Sequence, residues 1–326
     1  MNSYKLSDLT EPVKKELDLF SKEFKNSMKS KVGLVELVTR YILYQKGKKI
    51  RPILVLLSAK IAGGVSDRTY RGAILVELLH TATLVHDDVV DNAEKRRGFP
   101  SINAIWKNKV AVLMGDYLLA RGLMVAVDGS DFDFLKTMTD TVKRMSEGEL
   151  LQTSKTRRLN IDEPTYYKII SDKTASLLST CCEVGARSAG SDTEKIDAMR
   201  NYGEYLGIAF QIRDDILDYV GNSSVIGKPL GGDIKEKKIT LPLIYALKQS
   251  SKEEAKGIIK TIRSHPGPKQ VDEIIEFVKS KKGIEYAEEM SELYSQKAKE
   301  CLNIFPDSEV KESLARLVDF VVKRKN

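Results

Sequence analysis

The chain has 326 residues, of which 42% are hydrophobic and 30% charged, and its formal net charge is +7. Enough of it is apolar for a large core, which excludes a disordered chain; with no zinc-finger spacing and no dense basic arm, nucleic acid is excluded as partner, which leaves anionic metabolites or surfaces for the excess cations. Three cysteines, the adjacent Cys181 and Cys182 and the remote Cys301, cannot form a closed disulfide set, and with no signal-peptide core and no run approaching the ~20 apolar residues of a membrane span, a cytoplasmic protein with at most peripheral membrane contact is expected.

Apolar residues recur with the helical period through most of the chain. The pattern predicts helices over 34–44, 51–61, 70–92, 103–127, 135–155, 164–189 and 193–220. Turn signals separate them at Gly63-Gly64, Gly98-Phe99-Pro100, Gly129-Ser130 and Gly190-Ser191. A glycine- and lysine-rich stretch follows at 221–238, GNSSVIGKPLGGDIKEKK, and reads as a mobile, cation-bearing loop. Further helices are expected over 241–249, 252–263, 270–304 (interrupted near Gly283) and 308–325. Strand patterns are scarce, and several helices are too apolar for a surface position. The expected fold is all-α: one domain over 1–326, a bundle of about a dozen helices around a central cavity.

Two acidic clusters carry the chemistry. In HDDVVD, 86–91, Asp87 and Asp91 stand four apart and project from one helix face, with Asp88 beside them. QIRDDILD, 211–218, repeats the spacing in Asp214, Asp215 and Asp218, with Gln211 one turn earlier. Carboxylates this close repel one another unless a cation lies between them. Magnesium suits them, since it takes one or two carboxylates and completes its shell with water and phosphate oxygens. A single DDxxD is more often an exposed acidic face; two copies in apolar helices point to cations clamping one diphosphate from both sides. Cations for phosphate stand close in sequence: Lys48, Lys49 and Arg51 in GKKIRP, Arg96 and Arg97 before Gly98, Lys173 beside Thr174, and Lys228 and Lys238. Any one of these lysines alone would be ordinary surface charge.

In kind and order these motifs resemble the trans-isoprenyl (polyprenyl) diphosphate synthase family, long-chain type. GKKIRP, ELLHTATLVHDDVVDNAEKRRG, MGDYLLA, SEGELLQ, DKTASLL, IAFQIRDDILD and GKPLGGDIKEKKITLPLIYAL follow one another within 47–247, and 248–326 reads as C-terminal helices of the same domain. The resemblance implies the isoprenoid synthase fold, a homodimer, and head-to-tail condensation of isopentenyl diphosphate with allylic diphosphates. It implies that Asp87, Asp88, Asp91, Asp214, Asp215 and Asp218 hold about three magnesium ions. Arg96, Lys173, Lys228 and Lys238 would hold the allylic diphosphate. Lys48, Arg51, His80 and Arg97 would hold that of isopentenyl diphosphate. Thr174 and Gln211 would line the reacting centre. The family's two glycines before the motif lysine are here Lys46-Gly47. The implied chemistry is ionisation of the allylic carbon–oxygen bond, attack by the other substrate's double bond, and proton loss to the released diphosphate. Water must be excluded, and the 221–238 stretch is expected to close over the site.

Product length is read from the residues before Asp87, because an extended isoprene unit spans about one helical turn, ~5.4 Å. Short-chain family members commonly carry an aromatic residue four or five positions before the first acid. Here those positions are Thr83 and Ala82, both small, and Leu79 is the next candidate floor. An ideal helix puts Thr83 within about 40° of Asp87 and Ala82 well round the helix, so a part for Ala82 rests on the resemblance. The expected product is an all-trans polyprenyl diphosphate of about six to nine isoprene units (about C30–C45), of the kind that feeds quinone side chains. The alternatives are a farnesyl or geranylgeranyl diphosphate synthase, a class I terpene cyclase, a regulatory subunit of a synthase pair, and a helical scaffold. QIRDDILD speaks against the cyclase, whose second metal motif contains Asn and Ser or Thr, and the retained acids and cations speak against a regulatory subunit.

Overall fold

A computed structural model gives the fold and describes residues 6–45, 47–96, 98–220 and 230–323. Lys46, Arg97 and residues 221–229, Lys228 among them, lie outside the described residues, and so does most of the stretch expected to close over the site.

The chain enters through a short turn of helix, α1 (Leu6–Leu9), and a longer one, α2 (Lys14–Ser27). The sequence reading does not include α2, although Leu17, Phe20 and Phe24 recur at helical spacing along it and pack on the core. Next come α3 (Gly33–Tyr44), α4 (Ile50–Ala62) and α5 (Asp67–Val90), each within three residues of expectation. Two residues of β1 (Lys95–Arg96) pair antiparallel with β2 (Phe99–Pro100) across the Gly98 turn. The serine after them starts α6 (Ile102–Asp128): Ser101 Oγ accepts from the Ala104 amide at 3.3 Å. Helix α7 (Phe132–Arg158) follows.

The single helix expected over 164–189 is instead α8 (Glu163–Ile170), a π turn at Ser171–Ala175, and α9 (Ser176–Ser188). Asp162 Oδ1 caps α8 on the Thr165 amide at 3.0 Å. Then come α10 (Thr193–Val220), α11 (Gly232–Lys235), α12 (Leu241–Lys248), α13 (Lys252–Arg263) and α14 (Pro268–Ser280). Helices α15 (Gly283–Glu300) and α16 (Glu309–Lys323) complete the chain, so the expected 270–304 helix does break at Gly283.

Two apolar clusters form the interior. One joins α2, α4, α5, α6 and α9 to α16, so that Leu9 and Phe20 near the start share a core with Leu314 and Val318 near the end. The other joins α8 and α12 to α15. Helix α10 belongs to both: Met199, Tyr202 and Leu206 lie in the first, and Ile208, Ile212 and Ile216 in the second. The acidic motifs fall at the C-terminal ends of α5 and α10, two long helices that run through the core, which explains why acids there sit among apolar residues.

Helix α6 departs from the sequence reading. An 18-residue window has a mean hydropathy of 1.7, enough by length and composition to cross a membrane, yet only 33% of it is buried. Its small residues Ala111, Gly115, Gly122 and Ala126 face inward, while Ile105, Val112, Leu113, Met124 and Val127 are exposed. Asp116 and Arg121 interrupt the apolar run, which hid it from a count of consecutive apolar residues.

Candidate active site

The second acidic motif lines a cavity of about 420 Å³ with Lys173, Thr174, Gln211, Asp214, Asp215, Asp218, Asp233 and Lys238. Ile169, Ile170, Leu217 and Leu230 are among the apolar residues of its wall. The three carboxylates of the motif do different things. Asp218 accepts the amides of Gly232 and Asp233, both at 3.0 Å, and so caps α11. Asp215 is 4% exposed and takes a hydrogen bond at each oxygen: Tyr166 Oη donates at 2.7 Å and Gln211 Nε2 at 2.9 Å. With its amide nitrogen committed to Asp215, Gln211 turns Oε1 to Thr174, whose hydroxyl donates at 3.0 Å. The Thr174 oxygen therefore keeps its lone pairs for the cavity. Burial, then the charge of Asp233, pushes the Asp215 carboxyl up to about 8, although Tyr166 and Gln211 oppose the shift. Asp233 is pushed up to about 6 by burial and by Asp218, with Lys238 pulling the other way.

The first motif splits. Asp88 is 3% exposed and is paired with Arg96, Nη2 to Oδ1 at 2.7 Å. The two line a separate cavity of about 580 Å³ with His80, Glu77, Thr81, Lys49 and the aromatic edges of Phe20 and Phe24. Burial raises the Asp88 carboxyl more than Arg96 lowers it. Asp87 turns toward the other motif: its carboxyl is raised by desolvation and then by Glu149 and Asp91, with Lys173 acting against them. Glu149 accepts from Lys173 Nζ at 2.6 Å, and Gln152 Oε1 from the same nitrogen at 2.7 Å. Burial works against the charge on Lys238, but Glu236 at 2.5 Å, Asp233 and Glu149 hold its pKa above the ordinary value. Glu149 is thus felt by Asp87 of one motif and by Lys238 beside the other, which puts both around one space.

Several expected residues lie elsewhere. Lys48 is exposed and absent from the described wall of the larger cavity; Lys49 lines it instead, in a left-handed conformation (φ +50°) with Nζ on Ser21 Oγ at 2.8 Å. Arg51 lies on the α9 side of α4, near enough to Cys181 to lower a thiol pKa that burial has raised far more. Arg96 joins His80 rather than Lys173. Leu79 and Ala82 are buried, and Thr83 gives its hydroxyl hydrogen to His80 O at 2.9 Å. Helical spacing puts Ala82 between Leu78 and His86, and both of these meet α6: a Cβ on Gly115 would come 2.1 Å from His86 Nε2, and one on Gly122 3.5 Å from Leu78 Cβ. Glu149, Gln152, Asp233 and Tyr166 were missed as individuals, though the first three lie in the motifs SEGELLQ and GKPLGGDIKEKK.

Among the described residues no three carboxylates, histidines or cysteines converge as a closed metal cage. The donors fit magnesium all the same, because that ion needs only one or two carboxylates per site and takes its other ligands from water and phosphate. Both oxygens of Asp215 and both of Asp218 already accept hydrogen bonds within the protein.

Residues 33–279 match the polyprenyl synthetase family. The chain is 35% identical over 310 residues to the heptaprenyl diphosphate synthase component 2 of Bacillus subtilis, covering 95% of this chain and 88% of the relative. It is also 35% identical over 318 residues to the geranyl-diphosphate-specific all-trans-nonaprenyl-diphosphate synthase of Rhodobacter capsulatus, covering 97% of each. A polyprenyl synthase from Caulobacter crescentus, solved with calcium and isoprenyl diphosphate, superimposes with a TM-score of 0.91 at 33% identity over the whole of both chains.

Proposed function

The chain belongs to the polyprenyl synthetase family and is a prenyltransferase, and from that premise we propose that it extends allylic diphosphates with isopentenyl diphosphate to a long all-trans polyprenyl diphosphate. The observation that carries this reading is the smaller cavity, where two lysines and the acids of α10 surround a polar pocket closed by isoleucine and leucine. The relatives named for seven- and nine-unit products support a length of about six to nine isoprene units.

Lys173 and Lys238 hold the diphosphate of the allylic substrate, and each is aimed by a carboxylate partner. Asp87, Asp91 and Asp214, with Asp88 and Asp218 as the further acids of the two motifs, would hold magnesium, which would supply further positive charge to that diphosphate when bound. The carbon–oxygen bond breaks, its electron pair leaves with the diphosphate, and an allylic cation remains. Thr174 faces that cation with lone pairs, because its proton is given to Gln211. Tyr166 and Asp215 fix the direction of this relay. The isopentenyl double bond attacks the cation, one carbon–carbon bond forms, and the proton lost goes to the released diphosphate. The wall of Ile169, Ile170, Leu217 and Leu230 keeps water from the cation. The larger cavity takes the isopentenyl diphosphate, with His80, Arg96 and Lys49 on its phosphates and Lys48 and Arg51 as outer cations. Arg97 and Lys228 keep the phosphate-binding roles expected of them.

The reading extends to a soluble, cytoplasmic homodimer with one domain per chain, supported by the share α10 takes in both cores. It commits to a chain that needs no second kind of subunit, although the Bacillus relative is named as a component. Asp87→Asn and Asp214→Asn test the acid motifs. Each is expected to lower kcat by about 10²-fold or more with the circular dichroism spectrum unchanged, since each weakens charge stabilisation in the transition state. Near-normal turnover in both variants contradicts the proposal.

A further inference from the structure

The π turn at Ser171–Ala175 interrupts an otherwise α-helical rod, and Lys173 and Thr174 lie on it. Such a turn persists where surrounding contacts over-determine it. Those contacts come from residues absent from the described cavity wall. Arg144 of α7 donates from Nε to Asp172 Oδ1 at 3.0 Å, and from Nη2 to Ser171 Oγ at 2.9 Å and to Glu204 Oε1 of α10 at 3.0 Å. Lys168 Nζ holds the other oxygen of Asp172 at 2.8 Å, and the Ser171 hydroxyl donates to Glu204. Asp172 is 6% exposed, so its charge must be matched where it stands. From α7, Gly148 presses on the turn: a Cβ there would come 3.0 Å from Asp172 Cβ and from the Lys173 amide nitrogen. Residues 171 and 172 are gripped by α7 and α10, and residues 173 and 174 face the cavity.

We propose that Arg144, Asp172 and Glu204 are positioning residues for prenyl transfer, a clamp that sets the rotation of the π turn and so aims Lys173 and Thr174 at the allylic diphosphate and its ionising carbon. None of the three touches substrate. The proposal rests on the roles assigned above to Lys173 and Thr174. An arginine suits the post because its planar fork reaches three acceptors in fixed directions, whereas an ammonium is a point charge on a flexible stem. A misplacement of about 1 Å can cost on the order of 10²-fold in rate, so a clamp outside the cavity has leverage on the chemistry.

Steady-state kinetics of the full chain, with each substrate varied in turn, tests this in Asp172→Asn and Arg144→Lys. The expected result is a kcat lower by about tenfold or more and a several-fold higher KM for the allylic substrate, with the KM for isopentenyl diphosphate within about twofold of normal. Gly148→Ala pushes on the same turn without altering any charge and is expected to give the same split. Should one variant fail to fold, Glu204→Gln perturbs the clamp more gently and is read the same way. Unchanged kinetics overturns the proposal. So does a loss that follows the folded fraction and leaves both KM values alone, since that assigns the network to stability. Wild-type turnover in the same assay separates the two levels: active wild type with unaffected variants overturns the clamp and leaves the prenyl-transfer reading standing.

Discussion

Asp215 illustrates how far a side chain's name is from its role. From sequence it is the middle acid of a metal motif. In the fold it is the anchor of a relay, with Tyr166 on one oxygen and Gln211 on the other, and Thr174 at the far end. The identity and spacing of the aspartates were legible because a carboxylate pair at four residues needs no tertiary knowledge. The partner of Asp215 was not, since Tyr166 is 49 residues away and only the packing of α8 on α10 brings it in. The same holds for Lys48 and Lys49, where a left-handed residue decides which lysine faces the cavity. The relay carries a pH prediction. Asp215 titrates near 8 and Asp233 near 6 in the folded protein, against about 3.9 for an unfolded aspartate. Between those values the folded state holds more protons than the unfolded one, so stability falls as pH rises from about 4 to about 8. Thermal melts in chelator are expected to show that slope, smaller in Asp215→Asn. A flat profile, or an equal slope in the variant, contradicts the buried-acid assignment.

At the scale of elements, periodicity located most helices, because a buried helix repeats its apolar residues whatever it packs against. It failed where an element depends on remote contacts. The π turn between α8 and α9 is held by Arg144 and Glu204, which lie far from it in sequence. Helix α6 failed in the other direction. Its inner face is small enough for α5 to come close, and its outer face leaves Val112, Leu113, Met124 and Val127 in water. An apolar stripe of that length on a folded surface marks an interaction face, and the homodimer reading assigns it to a second copy of the chain. Leu113→Glu with Val127→Glu puts charge at both ends of that stripe, and sedimentation is expected to show monomers at concentrations where the wild type is dimeric. A variant that remains dimeric moves the interface off α6.

At the scale of the whole molecule, the arrangement explains why one long helix carries so much. Helix α10 runs through both apolar clusters and ends in the second acidic motif, and α5, in the first cluster, ends in the other. Both motifs thus stand at helix ends braced by core, with a polar cavity beside each. The family and the ordered motifs could be read along the chain. The division of labour between the two cavities could not, because Asp88 lines the larger cavity with Arg96 while its neighbour Asp87 feels Glu149 and Lys173. The most direct test of the account is chromatography of the products formed when the purified chain, with no other subunit, is given isopentenyl diphosphate, an allylic primer and magnesium. The account predicts prenyl diphosphates of about six to nine isoprene units; absence of any extension by the chain alone, or release of hydrocarbon in place of a longer diphosphate, would contradict it.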